Sequence, residues 1–220
     1  MVSFNDHTPG GIARVGGISP EQIERSGVGD EELAALLDAA VERRPTGLGQ
    51  EEELARACAM ASCPTASHDA SAASDFERDR MLGVIAEFPM SIELARQYRV
   101  TGIPVLLGAP NLVRGGSHLG NLSVADAWRA DAVDMLCSDY HYPSLLQAPF
   151  VLWHEGLADF ATAWAAVSSR PAAAAGFDGL GDLSLGNMAD VVVVEPPGPT
   201  QPMARVRAVI VDGCLVHGAP

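Results

Sequence analysis

From Cys63 onward the chain repeats one grammar: a short apolar run, a polar cluster, then a helical pattern. Thr65-Ala66-Ser67-His68-Asp69, Gly83 to Pro89, Ile103 to Pro110 and Val133 to Tyr140 each read as a buried strand with a polar tip. Ser91 to Tyr98 fits a crossover helix between two of them. Ser123 to Asp131 fits another, with Ser123 and Asp126 as an S-x-x-D start. Strand, polar tip and helix in repetition is the sequence form of parallel βα units. Val2 to Phe4, running into Asn5-Asp6-His7-Thr8-Pro9-Gly10, extends the pattern backwards. The strands Val2 to Phe4, Thr65 to Ser67, Val84 to Ala86, Val105 to Leu107 and Met135 to Cys137 are therefore expected in one curved parallel sheet, with their polar tips converging.

Between the first two strands the sequence predicts helices. Ser19-Pro20 opens a short one that Gly27 stops. Asp30 caps a second, whose Leu33, Leu36, Leu37, Ala40 and Val41 recur at helical spacing until Arg43-Arg44-Pro45 ends it, and Gln50 to Ala61 reads as a third. Val151 to Ser168 is an alanine-rich helix with Leu157, Phe160, Ala161 and Trp164 on its core side. At Arg170-Pro171 the chain changes character. Val191 to Val194, Val206 to Val211 and Cys214 to His217 then read as short strands, the last two joined at Asp212-Gly213. The expected division is residues 1–175 for the βα units and 176–220 for a small β appendage.

Length and composition narrow the class. A chain of 220 residues falls short of a closed eight-stranded barrel of about 250. Hydrophobic residues make up 48% and charged residues 19%, so a real core is expected rather than disorder. All 14 basic residues are arginine against 28 acidic ones, a net charge of −14, which argues against nucleic-acid or anionic-membrane binding. Without lysine there is no P-loop lysine, no Schiff base and no lysine carbamate bridging two metals. Cys58, Cys63, Cys137 and Cys214 match no metal-binding spacing and are expected as reduced thiols. No apolar run approaches a membrane span and the N-terminus lacks a secretory pattern, so the expected location is the cytoplasm.

Parallel α/β scaffolds place their chemistry at the C-terminal ends of the strands. Here those ends carry Asp6 and His7, His68 and Asp69, Glu87, and Asp139. Imidazole nitrogens and carboxylate oxygens together suit Zn²⁺, Mn²⁺, Fe²⁺ or Ni²⁺, and a bound ion generates nucleophilic hydroxide near neutral pH. Any one of these histidines alone is more often a capped or solvent-facing residue; the metal reading rests on their repetition at equivalent positions. The run from Gly108 to Asn121 is the densest signal. Glycines admit close backbone approach, a helix N-terminus follows at Ser123, Arg114 offers a fork for phosphate oxygens, and Ser117, His118 and Asn121 add donors. The alternative there is a glycine-rich turn with a surface arginine.

These motifs, in this order, resemble the amidohydrolase superfamily and, within it, the triphosphate diphosphatases of phosphonate catabolism. The resemblance rests on Asn5 to Gly10, Ser67-His68-Asp69, Glu87-Phe88-Pro89, Gly108 to Asn121, Ser138-Asp139-Tyr140 with Pro143-Ser144-Leu145-Leu146, and Gly186 to Val194. It implies a partial (β/α) TIM barrel of the amidohydrolase type, about five βα units, with a small C-terminal β appendage. It further implies a metal-dependent hydrolase that cleaves the 5-triphosphate of a ribosylated alkylphosphonate and releases diphosphate. By matching motifs, His7, His68 and Asp139 surround a divalent metal. His68 and Asp139 are the catalytic candidates, Asp139 handling the proton of the attacking water. Asn111, Arg114, Gly115, Gly116, Ser117, His118 and Asn121 are the candidates for holding phosphates, a role assigned from their chemistry.

The sequence departs from the family in places. Gly11 stands where glutamine usually follows His-Thr-Pro-Gly, and Ala70 where a second aspartate usually follows His-Asp. No His-x-His pair of the kind on the superfamily's first barrel strand occurs anywhere in the chain. Two readings stand: the C-terminal portion of such a diphosphatase, or a non-catalytic phosphate-binding or assembly subunit. The expected partner is a phosphorylated small molecule, with no nucleic acid and no membrane. An open parallel sheet exposes unpaired edges, so self-association or a complementing N-terminal fragment is also expected.

Overall fold

The structure is a computed structural model that describes residues 1–5, 24–25, 27–116 and 122–218. Its larger part is a five-stranded sheet formed by β1 (Val2–Phe4), β2 (Thr65–His68), β3 (Ile85–Glu87), β4 (Val105–Gly108) and β5 (Met135–Cys137). The strands lie in sequence order and every neighbouring pair is parallel. The expected strands thus occur within a residue or two of their predicted bounds. Such pairing requires crossovers, and helices supply them: α1 (Asp30–Met60), α2 (Ala73–Leu82), α3 (Ile92–Val100), α4 (Ala109–Val113) and α5 (Val124–Arg129). Ser91 Oγ accepts from Leu94 N at 3.1 Å and starts α3, while Gly83, in the left-handed region at φ 65°, ends α2.

Alternation along the strands divides the sheet into two faces. One face packs Ala86, Val105, Leu107 and Leu136 against the helices, where Leu94, Tyr98, Leu112 and Val124 complete the main core. The other stacks Ala66, Ile85, Leu106 and Met135, one residue from each of β2 to β5, into a second apolar layer. That layer floors the strand ends described below.

Helix boundaries differ from expectation at three points. Residues 30–60 form one helix rather than two, with Pro45 inside it. A proline removes the hydrogen bond to the carbonyl four residues back and crowds it. The carbonyl concerned is that of Val41, and Val41 and Pro45 are both exposed, so solvent can serve it. The predicted helix from Val151 to Ser168 is instead α6 (Tyr142–His154) and α7 (Phe160–Ala165). Gly156 at φ 67° closes α6, Leu157 N bonds back to Leu152 O at 2.9 Å, and Asp159 Oδ1 accepts from Thr162 N to restart the helix. Arg170 and Pro171 lie within a short helix, α8 (Ser169–Ala174), at first-turn positions that a proline tolerates, and beyond it the chain turns to the antiparallel strands. The predicted helix from Ser19 lies mostly outside the described residues.

The tail forms a separate antiparallel sheet of β6 (Val191–Glu195), β7 (Arg205–Val211) and β8 (Cys214–His217). Asp212 and Gly213, both at positive φ, make the tight turn between β7 and β8. A buried side chain ties this part to the helices. Gln147 on α6 donates to Ala204 O at 3.0 Å and accepts from Ala204 N at 2.8 Å.

Candidate active site at the strand ends

Register fixes which polar tips meet. The face that carries Ala66, Ile85, Leu106 and Met135 carries, two residues further along each strand, His68, Glu87, Gly108 and Cys137. His68 lies directly beside Glu87, and Gly108 beside Cys137. From β1, Ser3 reaches across and donates through Oγ to Glu87 Oε2 at 2.9 Å.

His68 is held from two sides. Its Nδ1 faces Asp69 Oδ2 at 3.1 Å, and its ring meets the Phe88 ring edge-on with centroids 5.0 Å apart. The hydrogen bond to Asp69 raises the His68 pKa against the opposing effect of burial, and the charges of Asp69, Glu87 and Asp139 raise it further. A carboxylate beside Nδ1 is the arrangement by which proteins orient histidines that ligate metal through Nε2.

Three residues just past strand ends adopt left-handed backbone: Asp69 at φ 61°, Phe88 at 54° and Asp139 at 48°. Aspartate tolerates this region, but a bulky aromatic such as Phe88 does not, and strain of this kind gathers at functional sites. Asp139 is placed by a missing side chain. A Cβ on Gly108 would lie 2.9 Å from Asp139 Oδ2 and 3.4 Å from the Phe88 ring. Cys137 lies at the end of β5, beside Gly108. Burial pushes its thiol up to about 12; a hydrogen bond from the Asp139 backbone opposes this, and the charges of Glu87 and Asp139 add to it.

The glycine-rich run begins on top of β4. Arg114 caps α4, is exposed, and places its guanidinium carbon 6.0 Å from the centre of the Tyr140 ring, next to Asp139. Gly115 and Gly116 follow at positive φ. Asn111 is engaged within the chain: Nδ2 donates to Leu122 O at 3.1 Å, and Oδ1 accepts from Val124 N at 2.9 Å. Its amide clasps the two ends of the run together.

Of the residues singled out by sequence, His68 and Asp139 stand at the same end of the sheet with β3 and β4 between them, each linked to Phe88, His68 through its ring and Asp139 across Gly108, while Arg114, Gly115 and Gly116 follow β4. His7, Ser117, His118 and Asn121 lie outside the described residues. Glu87, which lies outside the expected ligand set, stands at a strand end directly beside His68 and accepts from Ser3. No group of three or more His, Cys, Asp or Glu that could hold a metal occurs among the described residues. His68, Glu87 and Asp139 nonetheless offer nitrogen and carboxylate donors of the kinds that suit a divalent transition metal. No helix among the described residues is long and apolar enough to cross a membrane.

No protein-family model matches the chain. A curated relative does: the chain is 37% identical over 145 residues, 64% of its length, to the α-D-ribose 1-methylphosphonate 5-triphosphate diphosphatase of Escherichia coli K12. The chain spans 38% of that relative's length. Among solved structures, an amidohydrolase from Thermotoga maritima superposes with a TM-score of 0.54 at 22% identity, over 71% of this chain and 44% of the other. The A. niger ochratoxinase gives 0.54 at 19%, over 76% and 45%. The N-acyl-D-glutamate deacylase of Bordetella bronchiseptica, solved with zinc and a phosphonate inhibitor, gives 0.54 at 17%, over 79% and 57%. By sequence the chain resembles the diphosphatase, and by structure it carries part of the amidohydrolase fold, an α/β parallel sheet with a small antiparallel sheet after it.

Proposed function

We propose that this chain contributes the C-terminal strands of a metal-dependent hydrolase that cleaves α-D-ribose 1-methylphosphonate 5-triphosphate to the 5-phosphate and diphosphate. The observation that carries the reading is the placement of His68, Asp139 and an exposed arginine in a glycine-rich turn at the same end of one parallel sheet, at the tips of β2, β5 and β4 respectively. In this reading residues 1–175 form the barrel portion and 176–220 the β portion, in a cytoplasmic enzyme.

His68, Asp139 and His7 would hold the metal, which when bound supplies a water acidic enough to attack at neutral pH. Asp139, given room by the missing side chain at Gly108, would be the group to take up a proton there. Asp69 orients the His68 ring. Arg114 binds the triphosphate by charge and fork geometry, Gly115 and Gly116 let the backbone approach, and Ser117, His118 and Asn121 donate to phosphate oxygens. Asn111 keeps the turn closed beneath them.

A second reading, a phosphate-binding or assembly subunit without turnover, draws on the absence of a three-residue ligand group among the described residues. One experiment separates the two. The chain is incubated with the ribosyl triphosphate and Mn²⁺, and phosphorus NMR follows the products. Diphosphate release that Asp139→Asn abolishes supports hydrolysis; tight binding with no turnover supports the subunit; release of orthophosphate alone overturns both.

A further inference from the structure

Helix α1 ends in a way that brings two cysteines together. Its last residues close in a Schellman motif: Ser62 turns left-handed at φ 51°, Cys63 N donates to Cys58 O at 2.8 Å, and Ser62 N donates to Ala59 O at 3.2 Å. In this motif the residue that makes the longer bond packs its side chain on the residue that accepts it, a contact usually hydrophobic. Here the two positions are Cys63 and Cys58. Cys58 is 6% exposed and Cys63 partly exposed, both are free thiols, and the Cys63 Sγ also reaches Pro64 O at 3.8 Å. We propose that Cys58 and Cys63 are a redox-sensitive dithiol that closes to an intrachain disulfide on contact with a low-molecular-weight disulfide such as glutathione disulfide.

The roles of the two sulfurs differ with their surroundings. Burial, then the charge of Cys63 and a hydrogen bond between the two side chains, push the Cys58 thiol above its ordinary range. The more accessible Cys63 is the one that meets a dissolved disulfide and attacks first, and buried Cys58 resolves the product, losing its proton as it attacks. The Cys63 thiolate displaces one thiolate from glutathione disulfide and becomes the mixed disulfide. Cys58 sulfur then attacks Cys63 sulfur; the second glutathione leaves and takes up the Cys58 proton. Two electrons pass from the dithiol to the added disulfide, and two glutathiones are released. A disulfide spans Cα atoms about 4.4 to 6.8 Å apart, a separation that a backbone bond from Cys63 N to Cys58 O readily provides. The crosslink lies at the foot of β2, the strand that ends in His68.

Trypsin isolates the pair, since cleavage after Arg56 and Arg78 yields residues 57–78 with Cys58 and Cys63 as its only cysteines. The full chain is treated with glutathione disulfide, quenched in alkylating reagent and digested. The expected result is a peptide about 2 Da lighter than the unalkylated dithiol, which takes up two labels after dithiothreitol. In Cys58→Ser, glutathione should remain on residue 63, at least ten-fold more abundant than the mixed disulfide in the parent chain. Two alkylated cysteines in peptide 57–78 while exposed Cys214 is glutathionylated would overturn the proposal. So would stable glutathione on either parent cysteine, which would mean that the sulfurs cannot reach each other.

Discussion

Gly108 and Asp139 approach so closely that a methyl group at residue 108 would sit 2.9 Å from the Asp139 carboxylate. The Gly108 backbone, at φ −80° and ψ 121°, is ordinary for any residue, so glycine is needed there for space alone. Gly108→Ala should therefore fold normally and displace the carboxylate. The expected outcome is a roughly ten-fold loss of Mn²⁺ affinity by calorimetry, equivalent to about 1.4 kcal/mol, with an unchanged melting temperature. Equal affinity would remove Asp139 from the ligand set.

Arg114 stands alone as a cation in its turn, next to Tyr140. A charge-assisted hydrogen bond contributes about 1.5 to 3 kcal/mol, so Arg114→Ala should weaken diphosphate binding by about ten-fold to a hundred-fold. Arg114→Lys should recover only part, because it restores the charge without the planar fork. Calorimetric titration of diphosphate into the three proteins is the check, and identical affinities would reduce the glycine-rich run to a surface turn.

Behind the sheet, Asp79 is fully buried and accepts from Tyr98 Oη at 2.5 Å and from Arg78 Nε and Nη2 at 3.2 and 3.1 Å. Tyr98→Phe leaves that oxygen without its phenol and should cost about 1 to 3 kcal/mol of stability in urea denaturation. Burial holds the Asp79 carboxyl above the ordinary carboxylate range, despite the bonds from Tyr98, Arg78 and Ser67. The folded state thus binds this proton more tightly than the unfolded chain. Its contribution to stability is full below about pH 3.9 and is lost as pH rises through the elevated folded value. Measured against Asp79→Asn, the parent chain should lose relative stability as pH rises above about 3.9. A difference that grows with pH would show that the ion pair with Arg78 outweighs burial.

Gln147 makes both of its amide bonds to the backbone of Ala204, at the entry to β7. Gln147→Leu would strand a buried N–H and a buried carbonyl, a loss of about 1 to 3 kcal/mol for each such group. Hydrogen exchange should quicken in β6, β7 and β8 while β2 to β5 keep their protection. Uniform change across both sheets would mean that they unfold as one unit.

The parallel sheet was legible because each strand is a short apolar run with a polar tip; position alone put His68, Asp69, Glu87 and Asp139 at those tips, and only the family resemblance chose His68 and Asp139 among them. Pro45 misled, because a proline in an exposed helix costs less than one whose orphaned carbonyl is buried. Gly156 misled in the other direction, as one glycine among alanines and leucines carries little signal until its left-handed backbone is seen. The place of Glu87 depended on register, which no single strand encodes: it faces His68 because Ser67 pairs with Ala86. Phe88 was illegible for a deeper reason. Nothing in a phenylalanine announces a positive φ; the surrounding contacts impose it.

That imposed backbone is held in place by what the side chain packs against. Phe88→Gly would relieve the strain at φ 54° but would strip an aromatic ring from the edge of the main core, a larger loss. The same exchange would take away the ring that braces His68. One ring thus answers to both the core and the imidazole, and the unfavourable backbone persists because neither can release it.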